Sequence, residues 1–257
     1  MIVTFLGTGA SHGVPVVGCD CDICRSTNPK NNRTRSAVYV ETRGVRILID
    51  TPPELRIQLL RERITGADAL CYTHAHADHL FGLDDIRRFS EKSKHDLDVY
   101  AKADVVMNIR TAYEYAFRPA PAQCTKPGLS LHEIRGPFDV KGVKVIPVPV
   151  MHGKLPILGY RIGNFAYVTD CSYAPPESIE LIRGVDTLVF GTIRYDEHPT
   201  HMNVDQACEF VKEIGAGRAY FTHMSHKLDY DVLTATLPEN IRPAYDGLKI
   251  EIDEASD

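Results

Sequence analysis

The feature that most constrains this chain is a cluster of histidines and one carboxylate at residues 74–79. The pattern H-x-H-x-D-H follows Ala69–Tyr72, a short apolar run of the kind that forms a buried strand. Imidazole and carboxylate groups suit zinc, iron or manganese, and the end of a strand holds them rigidly. A polar surface turn is the alternative, but three histidines and an aspartate within six residues favour a metal site.

The spacing of this motif predicts more than one metal ion. His74 and His76 are two residues apart, so on an extended segment their side chains project to the same side. Asp78 and His79 lie one turn further along the chain. One segment therefore offers ligand pairs to two neighbouring ions, and two ions about 3.5–4 Å apart suit hydrolysis because they activate a shared water.

A second cluster of possible metal ligands lies in a polar loop near the start of the chain. Cys19, Cys21 and Cys24 have the spacing C-x-C-x2-C. Three thiolates can surround one side of a tetrahedral zinc ion, with a fourth ligand supplied from elsewhere in the chain. Three free cysteines are the alternative, but exposed thiols oxidise. We therefore predict a closed, structural zinc site here.

Composition limits the classes of protein that this chain can represent. Its 257 residues are 44% hydrophobic and 25% charged, which is ordinary for a globular protein, and no linker divides residues 1–257, so we expect a single domain. No signal pattern begins the sequence and no apolar segment approaches the roughly 20 residues of a membrane span, so a soluble, cytoplasmic protein without a membrane partner is expected.

Charge and cysteine content narrow the expected partners. The net charge is −5 and no block of Lys and Arg forms a stripe, which disfavours a nucleic acid polymer as a partner but leaves a small anionic substrate open. Seven cysteines, an odd number, favour reduced thiols or metal ligands over a disulfide framework.

Hydrophobic periodicity predicts an α/β fold in which strands and helices recur along the chain. The expected strands are Met1–Leu6, Val38–Glu41, Val45–Asp50, Leu97–Ala101, Val143–Val150, Gly159–Ile162, Phe165–Thr169, Thr187–Phe190, Ala219–Thr222 and Leu248–Ile252. The expected helices are Pro53–Arg63, with Leu55, Leu59 and Leu60 inward, then Leu83–Ser90, Asp104–Phe117, Pro175–Arg183, Val204–Ile214 and Tyr230–Leu237. Arg118–Ser130, with three prolines, is expected to be an irregular lid or edge loop.

Four strand ends carry a residue that can bind a metal, namely His74, His152, Asp170 and His223. The order of elements favours two sheets packed face to face with helices outside. Cys171 is an alternative ligand to Asp170, but neighbours on a strand face opposite ways, so only one of them reaches the site. We choose Asp170 because a carboxylate can bridge two ions.

The central motif, followed by separate His, Asp and His residues at later strand ends, resembles the metallo-β-lactamase superfamily. Gly7–Gly9, Gly13–Pro15, the cysteine cluster and Thr222–His226 resemble more specifically the PhnP-type phosphodiesterases, which open the cyclic phosphate of phosphoribosyl 1,2-cyclic phosphate in phosphonate breakdown. The resemblance spans most of the chain. It implies an αβ/βα sandwich of two mixed sheets with outer helices, and a dinuclear metal centre.

The resemblance also implies a role for individual residues. One divalent ion, zinc or manganese, would be held by His74, His76 and His152, the other by Asp78, His79 and His223, with Asp170 bridging; Cys19, Cys21, Cys24 and His226 would hold a structural zinc. His201 would assist phosphodiester cleavage from outside both metal shells, and Asp78 is assigned a catalytic role besides its ligand role. Four other histidines are expected to be solvated or hydrogen-bonded locally: His12, His95, His132 and His198.

The expected activity is hydrolysis of a small, cyclic phosphodiester by metal-activated hydroxide, with His201 donating a proton or stabilising charge. The same hydroxide would attack a carboxylic ester, lactone or thioester, so a carbonyl hydrolase stays open. A PqqB-like accessory protein is disfavoured by the complete central motif, and RNase Z-like tRNA processing by the absence of a basic extension.

The sequence leaves the exact substrate and the oligomeric state open. Leu83–Phe89 and Gly191–Tyr195 differ from what the phosphonate-pathway enzymes lead us to expect, so the exact substrate is open. Related enzymes suggest a homodimer, but no interface can be identified in the sequence.

Overall fold

Two mixed β-sheets form the framework of the protein in a computed structural model that describes residues 1–119 and 125–253. In spatial order, the first sheet contains β14 (Lys249–Glu251), β1 (Ile2–Gly7), β2 (Ala37–Thr42), β3 (Val45–Ile49), β4 (Ala69–Cys71), β5 (Leu97–Ala101) and β6 (Leu129–Glu133). The second contains β13 (Ile241–Pro243), β12 (Arg218–Thr222), β11 (Thr187–Gly191), β10 (Phe165–Val168), β9 (Leu155–Ile162), β8 (Val143–His152) and β7 (Phe138–Val140).

Alternation of side chains along the strands of the first sheet builds one apolar layer on each of its faces. Ile47 and Ile49 of β3 pack with Tyr160 and Tyr167 of the second sheet, so the sheets share an inner core. Leu48 points to the other face, where it joins residues of the helices that cover the first sheet. Residues on a strand face opposite sides in turn, and this places one apolar set between the sheets and another under the helices. The face-to-face sandwich with outer helices is therefore confirmed.

The helices lie on the outer faces of the sheets. They are α1 (Leu55–Arg61), α2 (Ala77–Leu80), α3 (Arg87–Ser93), α4 (Ala103–Ala112), α5 (Glu114–Phe117), α6 (Pro176–Ile182), α7 (Val204–Ile214) and α8 (Tyr230–Thr236), with 3-10 turns at Pro29–Asn31 and Leu83–Ile86. Helix α7 begins with a capping box between Asn203 and Gln206 and ends at Gly215 in the left-handed region. In the described part of the chain, no helix is long and apolar enough to cross a membrane.

Strand direction brings the ends of distant strands to one edge. Strand β9 is antiparallel to both β8 and β10, so β8 and β10 run the same way, and β10, β11 and β12 are parallel. The carboxyl ends of β8, β10 and β12 therefore lie on the same side of the second sheet, where its strands end. His152 is the last residue of β8, His223 directly follows β12, and Asp170 lies two residues after the end of β10.

Several elements differ from the prediction, although helix α7 has its predicted bounds. Helix α1 is shorter than the predicted helix Pro53–Arg63. Leu60, which was predicted to face inward, is 63% exposed. The predicted helix Asp104–Phe117 is interrupted at Tyr113, where the backbone leaves helical geometry. Three short strands, β6, β7 and β13, were not predicted. Of the predicted lid Arg118–Ser130, residues 120–124 lie outside the described part, and residues 129–130 begin β6.

Gly82 is packed too tightly to accept a side chain. A Cβ atom there would lie 2.0 Å from the Pro52 carbonyl oxygen and 2.9 Å from the Leu55 Cβ. Gly82→Ala is therefore expected to destabilise the protein by about 1–3 kcal/mol, measured by denaturant unfolding, because backbone must move. Gly136→Ala is the matched control, since no atom lies within 4 Å of a Cβ at that position. Equal stability of the two variants would contradict the expectation.

Candidate metal centre

The segment after β4 presents the central motif in two parts. The ring centroids of His74 and His76 are 4.5 Å apart, and the backbone of His76 is extended. His76 precedes the first residue of α2, so Asp78 and His79 lie within that short helix. Asp170 and His223, which face this segment from the second sheet, both have a positive φ, 54° and 57°. Non-glycine residues rarely adopt this conformation, and such strain clusters at functional sites.

The structure brings the predicted ligands of the dinuclear site into two adjoining groups. One group contains His74, His76 and His152, and the other contains Asp78, His79, Asp170 and His223; within each group the ligand atoms lie within 4.8 Å of one another. Asp170 contacts both. Its Oδ2 atom is 3.8 Å from Nε2 of His74 and 3.6 Å from Nε2 of His79, and its Oδ1 atom is 3.3 Å from Nε2 of His223.

The polar atoms of these groups fit metal ions. Nε2 of His74, Nε2 of His79 and both ring nitrogens of His223 are buried, and no hydrogen-bond partner is described for them. A buried polar atom without a partner costs about 1–3 kcal/mol, so a shared ligand for the converging nitrogens would remove a penalty. Burial also lowers the pKa of His74 well below its usual value, which favours the neutral imidazole that binds a metal.

The carboxylates of the site are held in their charged form. Burial alone would raise the pKa of Asp170, but His223 and His79 keep it well below the usual value. The pKa of Asp78 is lowered in the same way, with His223 and His79 outweighing the effect of burial. A carboxylate must be ionised to bind a metal, and both residues meet that condition.

Asp50 is a residue of this site that the sequence analysis missed. It is fully buried, and its Oδ2 atom is 2.8 Å from Nδ1 of His79. The backbone N–H and the hydroxyl of Thr73 donate to the same carboxylate. A carboxylate behind a ligating histidine fixes the ring and leaves Nε2 for the metal. Asp50 ends a predicted strand, and this was the signal available in the sequence.

Asp50→Asn is expected to weaken metal binding at the group containing His79 by about 10–100-fold, the usual effect of removing such a partner. The asparagine cannot carry the charge that stabilises the ring. Metal content after dialysis against graded free metal measures the effect. Asp98→Asn is the matched control, because Asp98 also pairs with a histidine, at 2.7 Å from His132, but on the surface. Equal metal loss in both variants would contradict the expectation.

His201 lies beside the dinuclear groups. It is 6% exposed, and its ring centroid is 4.7 Å from that of His152 and 5.1 Å from that of His223. Burial lowers the pKa of His201 to about 3, so its imidazole is neutral and carries one N–H donor. His201 can also join His152 and Asp170 in a third group of converging atoms, which makes a ligand role the alternative.

Two further side chains, His198 and Cys171, lie near the centre. His198 has the expected local hydrogen bonds, since its Nδ1 atom accepts from Thr200, but its ring also lies 4.9 Å from that of His201. Cys171, the alternative to Asp170, is buried and belongs to none of the ligand groups in the described residues.

The predicted structural zinc ligands also come together. Nδ1 of His226 lies 3.2 Å, 3.6 Å and 3.5 Å from the Sγ atoms of Cys19, Cys21 and Cys24. The backbone N–H of Val16 donates to Sγ of Cys24 at 3.3 Å. Three thiols around one imidazole nitrogen match the ligand set of a closed, tetrahedral zinc site.

Known proteins share this architecture. A family model described as the beta-lactamase superfamily domain matches residues 45–224. The crystal structure of a diphosphatase from the PhnP family is 38% identical, with a TM-score of 0.92 and 98% of each chain covered. Zn²⁺-bound PqqB from Methylobacterium extorquens has a TM-score of 0.78 at 21% identity, over 98% of this chain and 100% of the other, and shares the fold.

Another relative is named for an activity other than that of a diphosphatase. An octanoyltransferase from Porphyromonas gingivalis is 41% identical over 254 residues, which is 97% of this chain and 51% of that protein. The chain therefore spans about half the length of this relative.

Proposed function

The chain belongs to the beta-lactamase superfamily and, within it, to the PhnP family, and we propose that it is a dinuclear metal-dependent phosphodiesterase acting on a small, cyclic phosphodiester. The observation that carries the proposal is the pair of adjoining ligand groups, in which Asp170 of one group lies 3.8 Å from His74 of the other, with His201 buried beside them. The similarity to a PhnP-family diphosphatase supports a phosphoryl substrate.

Each of the two ligand groups would hold one divalent ion. His74, His76 and His152 would hold one divalent ion and Asp78, His79 and His223 the other, with Asp170 in contact with both groups. Bound ions of this kind supply an activated water and neutralise negative charge on phosphate oxygens. Two divalent ions would carry four positive charges, and the carboxylates of Asp78, Asp170 and Asp50 carry three negative ones. The loaded centre thus keeps a positive charge and favours an anionic substrate.

His201 acts on the leaving group in this proposal. Its neutral imidazole donates a hydrogen bond to the sugar oxygen that leaves phosphorus, which stabilises the negative charge developing there. Its ring contacts His152 of one ligand group and His223 of the other, so it lies between the two groups. Asp50 and Thr200 orient His79 and His152 through their Nδ1 atoms, so these ligands need not reorganise during the reaction.

Two other substrate classes have support from particular relatives. A diphosphate presents similar phosphate oxygens, and the 38% identical neighbour is a diphosphatase. An acyl ester or thioester is the second class, because the 41% identical relative is an octanoyltransferase, although this chain spans only half of that protein. A carbonyl substrate would need the same activated water, so the ligand set alone does not separate these classes.

A substrate panel tests the proposal on protein purified without chelator. The panel contains a ribose cyclic phosphodiester, bis(p-nitrophenyl) phosphate, a nucleoside diphosphate sugar and an octanoyl thioester, with metal content measured on the same sample. We expect the cyclic phosphodiester to be cleaved with the highest kcat/KM. Asp170→Asn is the control for contaminating enzymes. Full metal loading with cleavage of only the thioester or only the diphosphate would overturn the proposal in favour of that class.

A further inference from the structure

A five-residue segment joins the two metal sites. His223 belongs to the dinuclear groups, and His226, three residues later, belongs to the cysteine cluster. Thr222 ends β12, so the segment begins on a rigid strand and ends at His226, which contacts the cysteine loop. Only Met224 and Ser225 separate the two histidines in the chain.

His223 is the buried histidine of the dinuclear groups whose Nδ1 atom has no hydrogen-bond partner among the described residues. The other three buried histidines of the dinuclear groups each have a partner at Nδ1: Thr73 for His74, Asp50 for His79 and Thr200 for His152. Neither ring nitrogen of His223 has a hydrogen-bond partner among the described residues. Apart from stacking against His79 and His201, the orientation of this ring is set by its backbone, which is in the left-handed region at φ 57°.

Hydrogen bonds on both sides hold that backbone. On one side the N–H of Met224 donates to the Thr8 carbonyl at 2.9 Å, and the N–H of Ala10 donates to the Met224 carbonyl at 3.2 Å. On the other, the N–H of Ser225 donates to the Ile193 carbonyl at 3.1 Å. Since strained backbone persists only where its surroundings fix it, these contacts determine where the His223 ring lies.

Arg33 connects this segment to the cysteine loop. Its side chain is 1% exposed, and Nη1 donates to the Ser225 carbonyl at 3.1 Å. The backbone of Arg33 pairs with Val14 through two hydrogen bonds of 2.8 Å. Val16, two residues later, donates to Sγ of Cys24 and accepts from the N–H of Cys19. One buried side chain therefore touches the His223 segment while its backbone holds the start of the cysteine loop.

We propose that the cysteine site positions His223, so that zinc held by Cys19, Cys21, Cys24 and His226 raises the affinity of the neighbouring ion site formed by Asp78, His79 and His223. Arg33 is a positioning residue that acts through Ser225. The group His74, His76 and His152 is not on this segment and is unaffected. The inference rests on the proposed function only in using the same metal ligands, and it requires no particular substrate.

Manganese binding to protein that carries one zinc ion per chain, in the cysteine site, tests the proposal. Mn²⁺ favours carboxylate and imidazole ligands over thiolates, so it can be titrated into the dinuclear groups while zinc stays in the cysteine site, with free Mn²⁺ read by electron paramagnetic resonance. For His226→Asn we expect one of two Mn²⁺ affinities to fall by about 5–150-fold, the usual range of coupling between sites, and the other to stay unchanged. His226→Cys, which restores four zinc ligands, is expected to recover the wild-type isotherm.

Matched variants separate positioning from general damage. Arg33→Met removes the contact to Ser225 without touching a zinc ligand and is expected to weaken the same Mn²⁺ step. Arg135→Met and His95→Asn, at exposed positions, are the controls and are expected to bind Mn²⁺ as the wild type does. Unchanged Mn²⁺ affinities in both His226→Asn and Arg33→Met would overturn the proposal.

The wild-type protein offers an independent measurement if a variant fails to fold. Coupling between two binding sites is reciprocal, so Mn²⁺ in the dinuclear groups must raise the zinc affinity of the cysteine site by the same factor. Competition with a zinc-selective fluorescent chelator, with and without Mn²⁺, measures this. Equal zinc affinities would overturn the proposal. Altered affinities without phosphodiester cleavage would support it while rejecting the proposed function.

Discussion

Replacing His201 with asparagine is expected to lower kcat by about 10²–10³-fold, the usual effect of removing one hydrogen-bond donor to a developing negative charge, while metal content stays unchanged. His201 is buried against His152 and His223 but lies outside the two dinuclear ligand groups, so its loss removes a donor to the leaving oxygen and no essential ligand. The comparison to make is single-turnover hydrolysis with a substrate whose leaving group is poor and one whose leaving group is good. The defect should be smaller for the good leaving group, which needs less stabilisation.

His198→Asn is the matched control for this variant. Its ring lies 4.9 Å from that of His201, but Thr200 already occupies its Nδ1 atom, and it belongs to no ligand group among the described residues. We expect a much smaller change in kcat. If His201→Asn instead loses metal in step with activity, His201 is a ligand, as its convergence with His152 and Asp170 would allow.

The sequence predicted the sandwich and the presence of ligands at strand ends for a physical reason, whereas the division of the ligands into two ion sites came from the family resemblance. A ligand at or just after the end of a buried strand is held rigidly, and strands that run the same way bring such ends together, which is how His152, Asp170 and His223 meet. The resemblance to the PhnP family was confirmed, and with it the fold class. The roles of the individual ligands stay predictions.

Other parts of the fold and site depended on contacts that a linear pattern does not contain. Strands β7 and β13 have three residues each, too few for a periodic signal, and both lie at sheet edges. Leu60 was expected to face inward, yet it points to solvent because the buried face of α1 is formed by Leu55, Gln58 and Leu59, at i, i+3 and i+4. Asp50 ends a strand, as the recognised ligands do, but its function depends on His79 lying 29 residues later and 2.8 Å away.

Asp170→Asn is expected to have a larger effect on metal binding than any other single substitution at the centre. Asp170 contacts His74 of one group and His79 and His223 of the other, so its loss acts on both ions. Asparagine keeps the size of the side chain but is uncharged, and two cations would then share one carboxylate, Asp78. A direct ligand should exceed the roughly 10–100-fold loss of affinity that an outer partner causes. Metal content after dialysis and kcat/KM for the phosphodiester should fall together.

The cysteine site provides an internal reference for this variant. Cys19, Cys21, Cys24 and His226 do not include Asp170, so one zinc per chain should remain when the dinuclear ions are lost. Cys171→Ser is the matched control, because Cys171 is the neighbouring alternative ligand and is also buried. We expect it to keep its full metal content, since its thiol is absent from the ligand groups. Metal loss in Cys171→Ser but not in Asp170→Asn would transfer the bridging role to the cysteine.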